Sequence, residues 1–161
     1  MRTLASIQKV KNLEAIPEAQ QIEKAIIFGW SVVVKKGEFN IGDLCLYVEI
    51  DSILPPKPEF EFLAKNKFRI KTVRLRGQIS QGICFPVSIL PIGDYVEGQD
   101  LTEFLGVIKY EPPIPACLAG KIKGGFPSFI PKTDEPRIQT CPEVLEKYRN
   151  LEFYATEKID G

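Results

Sequence analysis

The stretch that decides the fold is Leu44-Cys45-Leu46-Tyr47-Val48-Glu49-Ile50. Its aliphatic side chains fall at every second position, and the other residues fall between them. Because successive side chains of a strand point to opposite faces, this alternation predicts a β-strand with one apolar core face. On the same reasoning we expect Tyr47, on the opposite face, to be exposed.

Other short β-like segments surround this strand. They are Leu4–Val10, Ile22–Phe28 with its continuation Ser31–Val34 beyond Gly29-Trp30, Phe68–Arg76 and Ile83–Val87. A short helix is expected over residues 59–65, between the third and the fourth segment. Five short strands separated by turns predict an all-β barrel or sandwich, and this helix favours a five-stranded OB-fold barrel. An SH3-like barrel is the alternative.

The segment Phe68–Arg76 changes phase within its length. Its first half is apolar at even-numbered positions and its second half at odd-numbered ones. A regular strand cannot bury both sets on one face, so we expect a β-bulge where the phase switches. Past that bulge, Val73 and Leu75 should enter the core, and Arg74 and Arg76 should point to solvent.

The composition is that of a globular protein. Of the 161 residues, 44% are hydrophobic and 26% are charged, which suits one domain, or one domain with part of another. Lys plus Arg equals Asp plus Glu at 21 each, so the net charge by itself does not point to nucleic acid. The sequence contains no run of 18 apolar residues and no signal-peptide pattern, so we expect no membrane partner.

The use of cysteine and histidine excludes several chemistries. The chain has four cysteines, none of them in a C-x-x-C pair, and no histidine. A zinc site would need all four scattered thiols, so no metal site is expected. The lack of histidine removes Ser-His-Asp and Cys-His catalysis. Reduced thiols fit a cytoplasmic location best.

The composition changes after Glu111, where proline and glycine become frequent. Such a stretch is typical of an extended segment between domains. We therefore predict an OB-fold domain at residues 1–108, a Pro/Gly-rich linker at 109–141, and the first elements of a second domain at 142–161. Those elements are a short helix over Pro142–Arg149 and a strand over Leu151–Ile159.

The last six residues, Thr156-Glu157-Lys158-Ile159-Asp160-Gly161, contain the spacing K-x-D-G. A lysine amine attacks the α-phosphate of ATP once neighbouring cations or desolvation favour its neutral form. A glycine nearby lets the backbone approach a nucleotide closely. The same spacing also arises by chance, and Asp-Gly is a common turn dipeptide. The motif alone leaves both interpretations open.

Six further blocks are distributed along nearly the whole length of the chain: LASIQ (4–8), GWSVVVKKGEF (29–39), YVEIDS (47–52), TVRLRGQISQG (72–82), KYEPPIP (109–115) and PSFIPKTDE (127–135). Together with residues 156–161, they resemble ATP-dependent RNA ligases in which an OB domain precedes the nucleotidyltransferase domain, the fifth RNA ligase class. Residues 156–161 themselves are similar to motif I of the covalent nucleotidyltransferase superfamily.

The resemblance implies a role for each matching residue. Lys158 would be the catalytic lysine that forms lysyl-AMP. The cofactor-binding positions that it implies are Glu157, Asp160, Gly161, Lys132, Glu135 and Arg137. The complete enzyme would use ATP with Mg²⁺ or Mn²⁺ to join nicked or broken RNA ends. The motifs for the metal and the triphosphate would lie beyond Gly161, so we expect this chain alone to be inactive and to bind no cofactor.

Nucleic-acid binding by an OB barrel uses a basic groove and aromatic platforms. Between Lys65 and Arg76 there are six basic residues and no acidic one. The candidate phosphate contacts are Lys35, Lys36, Arg69, Lys71, Arg74 and Arg76, and the candidate stacking rings are Trp30, Phe39 and Tyr47. A solvated charged face is the alternative for the cations, and burial is the alternative for Trp30.

The segment Arg76–Gly82 (RGQISQG), together with Ile16-Pro17-Glu18-Ala19, is similar to the tRNA-binding OB domain fused to some synthetases and cytokines. We expect Ser80 in this turn to cap the backbone rather than to contact RNA. The predicted function is the N-terminal RNA-binding module of an ATP-dependent RNA ligase that seals RNA breaks. The alternatives are a stand-alone tRNA- or RNA-binding OB domain without a catalytic role, and a protein-interaction barrel that orients a catalytic domain.

Overall fold

The structure is a computed structural model that describes residues 3–118, 120–121, 138–141 and 143–155. The strands in this part of the chain are β1 (Ala5–Ala15), β2 (Ile22–Ile27), β3 (Trp30–Lys35), β4 (Leu44–Val48), β5 (Ser52–Ile53), β6 (Val73–Leu75), β7 (Gln78–Ser80), β8 (Ile83–Pro86) and β9 (Ile108–Lys109). The α-helices are α1 (Thr102–Leu105) and α2 (Glu143–Lys147). The 3-10 segments are Pro58–Asn66, Val87–Ile89, Ala116–Leu118 and Ile138–Thr140.

Five strands form one antiparallel sheet in the order β3-β2-β1-β4-β8. The long strand β1 pairs with β4 through residues 5–9 and with β2 from Val10 onward, with a register shift between Val10 and Asn12. A bulge of this kind bends a strand, so one strand serves both halves of a curled sheet. The all-β prediction is confirmed, and so is the helical segment after β5, as a 3-10 helix. The turn at Phe28-Gly29 divides the second predicted segment into β2 and β3.

Two apolar clusters cover the two faces of this sheet. The cluster that fills the barrel interior receives side chains from all five strands and includes Val10, Val32 and Tyr47. The other cluster lies between β1, β4 and β8 on one side and the 3-10 helix and α1 on the other, with Phe60 among its buried members. Both faces of β4 are therefore buried, although only one of them is aliphatic.

Tyr47 lies in the barrel interior, so the prediction that it is exposed is wrong. Its side chain is only 1% exposed. Its hydroxyl donates a hydrogen bond of 3.0 Å to the carbonyl oxygen of Gln81. A Cβ on Gly82 would lie 2.5 Å from Cε2 of this ring and 2.8 Å from the carbonyl oxygen of Val48. Alternation separates the two faces of a strand, but it does not say which face meets solvent.

The segment Phe68–Arg76 is not one strand. Lys67 and Phe68 have φ values of 53° and 58°, which interrupts the extended chain before Ile70. β6 and β7 then form a separate hairpin in continuous register, from Val73 opposite Ser80 to Leu75 opposite Gln78. The expected bulge and the expected burial are wrong, because Val73 and Leu75 are 42% and 43% exposed. Both side chains are exposed on the hairpin instead.

The end of the barrel is tied back to its first strand. Thr102 Oγ1 accepts hydrogen bonds from the N–H groups of Leu4 and Ala5, at 2.9 and 3.2 Å. Beyond α1, β9 pairs with β5. The Tyr110 N–H then donates to the carbonyl oxygen of Asp51 at 2.7 Å. Backbone pairing thus reaches Tyr110, close to the boundary predicted at residue 108, and that boundary remains a prediction.

The second predicted unit is described only in part. α2 falls within the helix predicted over Pro142–Arg149. Residues 151–155 form no strand, so the strand predicted over Leu151–Ile159 is wrong in its first half. Its remainder lies outside the described residues.

The contact between Gly82 and Tyr47 is testable with a matched pair of glycines. Gly82 and Gly77 have φ values of +100° and +80°, so alanine at either position adopts a left-handed conformation that costs about 1–2 kcal/mol. At Gly77 a Cβ meets nothing within 4 Å, whereas at Gly82 it meets the Tyr47 ring and a carbonyl. We expect Gly82→Ala to lower the free energy of unfolding by about 1 kcal/mol more than Gly77→Ala does, as measured by urea denaturation. Equal losses would contradict the tight contact.

Asp100 makes a second tie to the start of β1. Thr3 Oγ1 donates to its Oδ2 at 2.9 Å, and the Thr102 N–H donates to its Oδ1 at 2.8 Å. Burial opposes the ionised form, but the hydrogen bonds outweigh burial and lower the pKa of Asp100 below its ordinary value. Because the folded-state pKa is the lower one, ionisation stabilises the fold at neutral pH. That stabilisation is lost as the pH falls below about 4, through the folded-state pKa.

We therefore expect Asp100→Asn to be less stable than the wild type at neutral pH, with a difference that shrinks below about pH 4. Thermal melts of both proteins over an acid series measure this. The control is Asp94→Asn, which removes an exposed carboxylate from the same region of the chain. If the difference in stability between Asp100→Asn and the wild type did not change with pH, the hydrogen bonds to the ionised Asp100 carboxylate would not stabilise the fold in this way.

Candidate nucleic-acid interface

The three predicted stacking rings are buried. Trp30 and Phe39 are each 4% exposed, and both belong to the barrel-interior cluster with Tyr47. Base stacking needs an accessible ring face. The alternative of burial is therefore correct for Trp30, and the expected stacking role of all three rings is wrong in this fold.

The candidate cations divide into two groups on the surface. The first group is called here the hairpin patch and consists of Lys35, Lys36, Arg74 and Arg76, all exposed. The second group is Arg69 and Lys71, which line a cavity called here the basic pocket; Lys65 and Lys67, from the same basic run, line it as well. The cavities that Arg76, Lys35 and Lys36 border share no lining residue with the basic pocket, although Arg76 follows Lys71 closely in the sequence.

The hairpin patch surrounds the loop between β1 and β2. Arg76 borders a cavity of about 360 Å³ that is lined by residues 18–22. Lys35 and Lys36 border a neighbouring cavity that shares Gln20, Gln21 and Ile22 with the first. Three cations of the patch therefore border two adjoining cavities, which suits a polyanion better than a single small ion.

The turn of the β6–β7 hairpin has a structural explanation. Arg76 and Gly77 have φ values of 50° and 80° and join paired residues Leu75 and Gln78, so they form a two-residue turn with both central residues left-handed. Ser80 is 3% exposed, and its Oγ accepts a 2.9 Å hydrogen bond from the Val33 N–H. This contact agrees with the expectation that the Ser80 hydroxyl forms a hydrogen bond with the backbone rather than with RNA.

The basic pocket holds one cation in a fixed position. Arg69 Nη2 lies 2.8 Å from Asp51 Oδ1, and the guanidinium lies 3.4 Å from the centroid of the Tyr110 ring. Arg69 Nε is buried without a hydrogen-bond partner among the described residues. The pocket has a volume of about 350 Å³, with Ile53 and Asn66 also in its wall. Sequence reasoning did not single out Tyr110, because its contact with Arg69 joins distant parts of the chain.

The predicted catalytic and nucleotide-binding residues cannot be placed. Lys158, Glu157, Asp160, Gly161, Lys132, Glu135 and Arg137 lie outside the residues that the structure describes. Within the described ranges, no group of three or more His, Cys, Asp or Glu residues could hold a metal ion. No described helix is long and apolar enough to cross a bilayer.

The class of protein follows from comparison with known families. A family model described as an OB-fold domain matches residues 4–87, which is more than half of the chain. The curled five-stranded antiparallel sheet agrees with that match. The chain belongs to this OB-fold domain family.

Among solved structures, the chain is similar to Naegleria gruberi RNA ligase. The ligase with PPi superimposes with a TM-score of 0.75 at 40% identity, over 91% of this chain and 47% of that one. A Glu-to-Ala mutant with ATP and Mn gives 0.76 at 40% identity, over 91% and 47%. A Lys-to-Met mutant with AMP and Mn gives 0.75 at 40% identity, over 91% and 46%.

These similarities confirm the resemblance to an RNA ligase that the sequence blocks indicated. The chain spans about half the length of the ligases that it matches. The comparison with curated proteins gave no match.

Proposed function

We propose that this chain is the N-terminal RNA-binding module of an ATP-dependent RNA ligase that seals RNA breaks through a lysyl-AMP intermediate. The observation that carries the proposal is the 40% identity to Naegleria gruberi RNA ligase over 91% of this chain. A likeness of fold alone would not support a shared activity. Here the likeness extends to the sequence as well. A cytoplasmic location fits the same proposal, because Cys45 and Cys84 are buried free thiols and Cys117 is an exposed one.

The proposed chemistry proceeds in three displacements. The Lys158 amine attacks the α-phosphorus of ATP, so a P–N bond forms while the bond to the pyrophosphate oxygen breaks. A 5′-phosphate of RNA then displaces the lysine and takes up the AMP. A 3′-hydroxyl attacks that activated phosphate, the phosphodiester forms, and AMP leaves. The relatives with PPi, with ATP and Mn, and with AMP and Mn support nucleotide use by the complete enzyme.

ATP with Mg²⁺ or Mn²⁺ would be the cofactors of the complete enzyme. A divalent cation supplies neutralisation of phosphate charge during the attack. The described residues offer no metal-binding cluster, so the barrel itself is not proposed to hold the cation. Its proposed contribution is to bind and orient the RNA.

The hairpin patch supports RNA binding by charge rather than by stacking. Arg74 and Arg76 are exposed, and neither forms an ion pair with a described residue. Among the described residues, Arg74 Nη1 donates to the carbonyl oxygen of Gly77 within its own turn, at 3.3 Å. Exposed arginines on a projecting hairpin are suited to phosphates of a nicked or broken RNA end.

A second candidate function is that the barrel orients a catalytic domain through protein contacts. The observation that favours it is the set of exposed apolar side chains on the same hairpin, namely Val73, Leu75 and Ile79. Binding of RNA through phosphates is strongly salt-dependent, whereas an apolar contact is much less so. The salt dependence of RNA affinity therefore separates the two candidates.

The RNA-binding role predicts the behaviour of a double variant. We expect Arg74→Ala with Arg76→Ala to weaken RNA binding at low salt and to flatten the plot of log affinity against log salt by about two units. Stability should change little, because both side chains are exposed. The measurement is fluorescence anisotropy with labelled RNA over a salt series, with thermal melts alongside.

The control for this pair is Lys11→Ala with Lys147→Ala, which removes the same charge from exposed positions outside the hairpin patch. The control should keep most of the salt slope. If both double variants lose affinity equally, the effect is one of net charge, and the hairpin patch is a solvated face. If the arginine variant unfolds at a much lower temperature, the two arginines have a structural role.

The catalytic role predicts a second outcome, in the complete ligase. Lys158→Ala should abolish transfer of label from α-labelled ATP to the protein, because no other group at this position can form the phosphoramidate. Lys147→Ala, which removes an exposed lysine of α2, should leave labelling unchanged. Persistent labelling of the Lys158 variant would place the nucleophile elsewhere.

A further inference from the structure

The basic pocket differs from an ordinary charged surface in how its cations are arranged. Lys65 and Lys67 come from the end and the C-cap of the 3-10 helix, and Arg69 and Lys71 come from the segment after it. All four line one cavity of about 350 Å³, and no acidic residue in the described part of the chain lines it. Like charges repel, so such a cluster is stabilised when an anion enters it.

The three lysines are free to meet such an anion. None of them forms an ion pair with any residue that the structure describes. Lys65, Lys67 and Lys71 are also exposed, so their ammonium groups are accessible to an anion. They supply positive potential, but by themselves they define no binding geometry.

Arg69 supplies the geometry. Its guanidinium is held between the Asp51 carboxylate, at 2.8 Å, and the Tyr110 ring, at 3.4 Å from the centroid. Asp51 is itself held, because its carbonyl oxygen accepts from the Tyr110 N–H at 2.7 Å. A guanidinium carries five N–H donors, and the contact with Asp51 occupies one of them. Part of the entropic cost of fixing this side chain is therefore met before a ligand binds.

The shape of the site distinguishes an RNA end from an RNA backbone. A protein that follows a strand does so along an extended groove, whereas this site is a single cavity lined by four cations. A terminal phosphomonoester carries a charge of about −1.5 to −2 at neutral pH, while an internal phosphodiester carries one negative charge. Arg69 is already paired with Asp51, but the three lysines form no ion pair with a described residue, and their excess positive charge favours the group with the higher negative charge.

We propose that the basic pocket binds a terminal phosphomonoester of RNA, with Arg69 as its fixed anchor and Lys65, Lys67 and Lys71 supplying the surrounding positive charge. This inference rests on the proposed RNA-binding function and adds to it a site that recognises an RNA end. It assigns to the pocket a task separate from that of the hairpin patch. The hairpin patch would bind RNA whatever its ends carry, and the pocket would discriminate between ends.

The test uses the 161-residue chain and one short RNA in three forms, with a 5′-phosphate, a 3′-phosphate or hydroxyls at both ends. Anisotropy titrations at fixed salt should show that at least one phosphorylated form binds about tenfold more tightly than the hydroxyl form, the size expected of one charge-assisted hydrogen bond. The form that binds more tightly identifies the end that the pocket recognises.

Two variants test whether the basic pocket is responsible for this preference. Lys65→Gln with Lys71→Gln changes only exposed side chains, so it should stay folded, and it should lose most of the preference for the phosphorylated RNA. Tyr110→Leu removes the ring that holds Arg69 and should reduce the same preference without changing the net charge. Both should bind the hydroxyl form with an affinity within about twofold of that of the wild type.

The outcomes separate this inference from the proposed function. The variant lacking Arg74 and Arg76 should lose affinity for all three RNAs equally. If the wild type binds all three forms with the same affinity, or if the pocket variants keep the full preference, the pocket does not recognise an RNA end, while RNA binding by the module stands. If the protein binds none of the three RNAs, the proposed RNA-binding function fails together with this inference.

Discussion

The structure depends on the packing of one tyrosine against one glycine inside the barrel. Tyr47 projects from β4 into the interior, and Gly82 passes so close to its ring that no side chain fits there. The Tyr47 hydroxyl donates to the carbonyl oxygen of Gln81, and the Gln81 N–H donates to the carbonyl oxygen of Ser31 in β3 at 2.8 Å. The Tyr47 ring in the interior is thereby joined, through the corner at Gln81, to the edge strand β3 and to the start of the other edge strand, β8. Because a buried hydroxyl needs a partner, the ring can occupy the core only if this corner closes.

That corner also determines what lies on the surface. Ser80 accepts from the Val33 N–H just before the corner, so β7 is held against β3 while the turn at Arg76-Gly77 projects outward. The projection brings Arg76 beside the loop between β1 and β2. It also separates the hairpin patch from the basic pocket, whose cations precede the hairpin in the chain. One continuous basic run thus becomes two surfaces, and we assign them different parts in binding RNA.

The predictions of burial and exposure that are wrong share one physical cause. Val73 and Leu75 were expected in the core because they are apolar at alternate positions, yet they lie on the projecting hairpin. Trp30, Phe39 and Tyr47 were considered as RNA platforms because they are aromatic, yet all three fill the barrel. Local alternation reports which side chains share a face, whereas burial depends on whether another element covers that face. The sequence does not indicate a role for Tyr110 either, because that role depends on its contact with Arg69, a residue distant in the chain.

The sequence by itself determined the all-β class, the strand at Leu44–Val48, the helical segment after β5, and the relation to RNA ligases. These properties depend on local periodicity, on turn chemistry, or on motifs that are read along the chain. Only the tertiary structure decided that both faces of β4 are buried, that the cations form two groups, and that Arg69 is fixed between Asp51 and Tyr110. The physical reason is that each of these depends on contacts between residues far apart in the chain, which are set by closure of the barrel and not by any one segment.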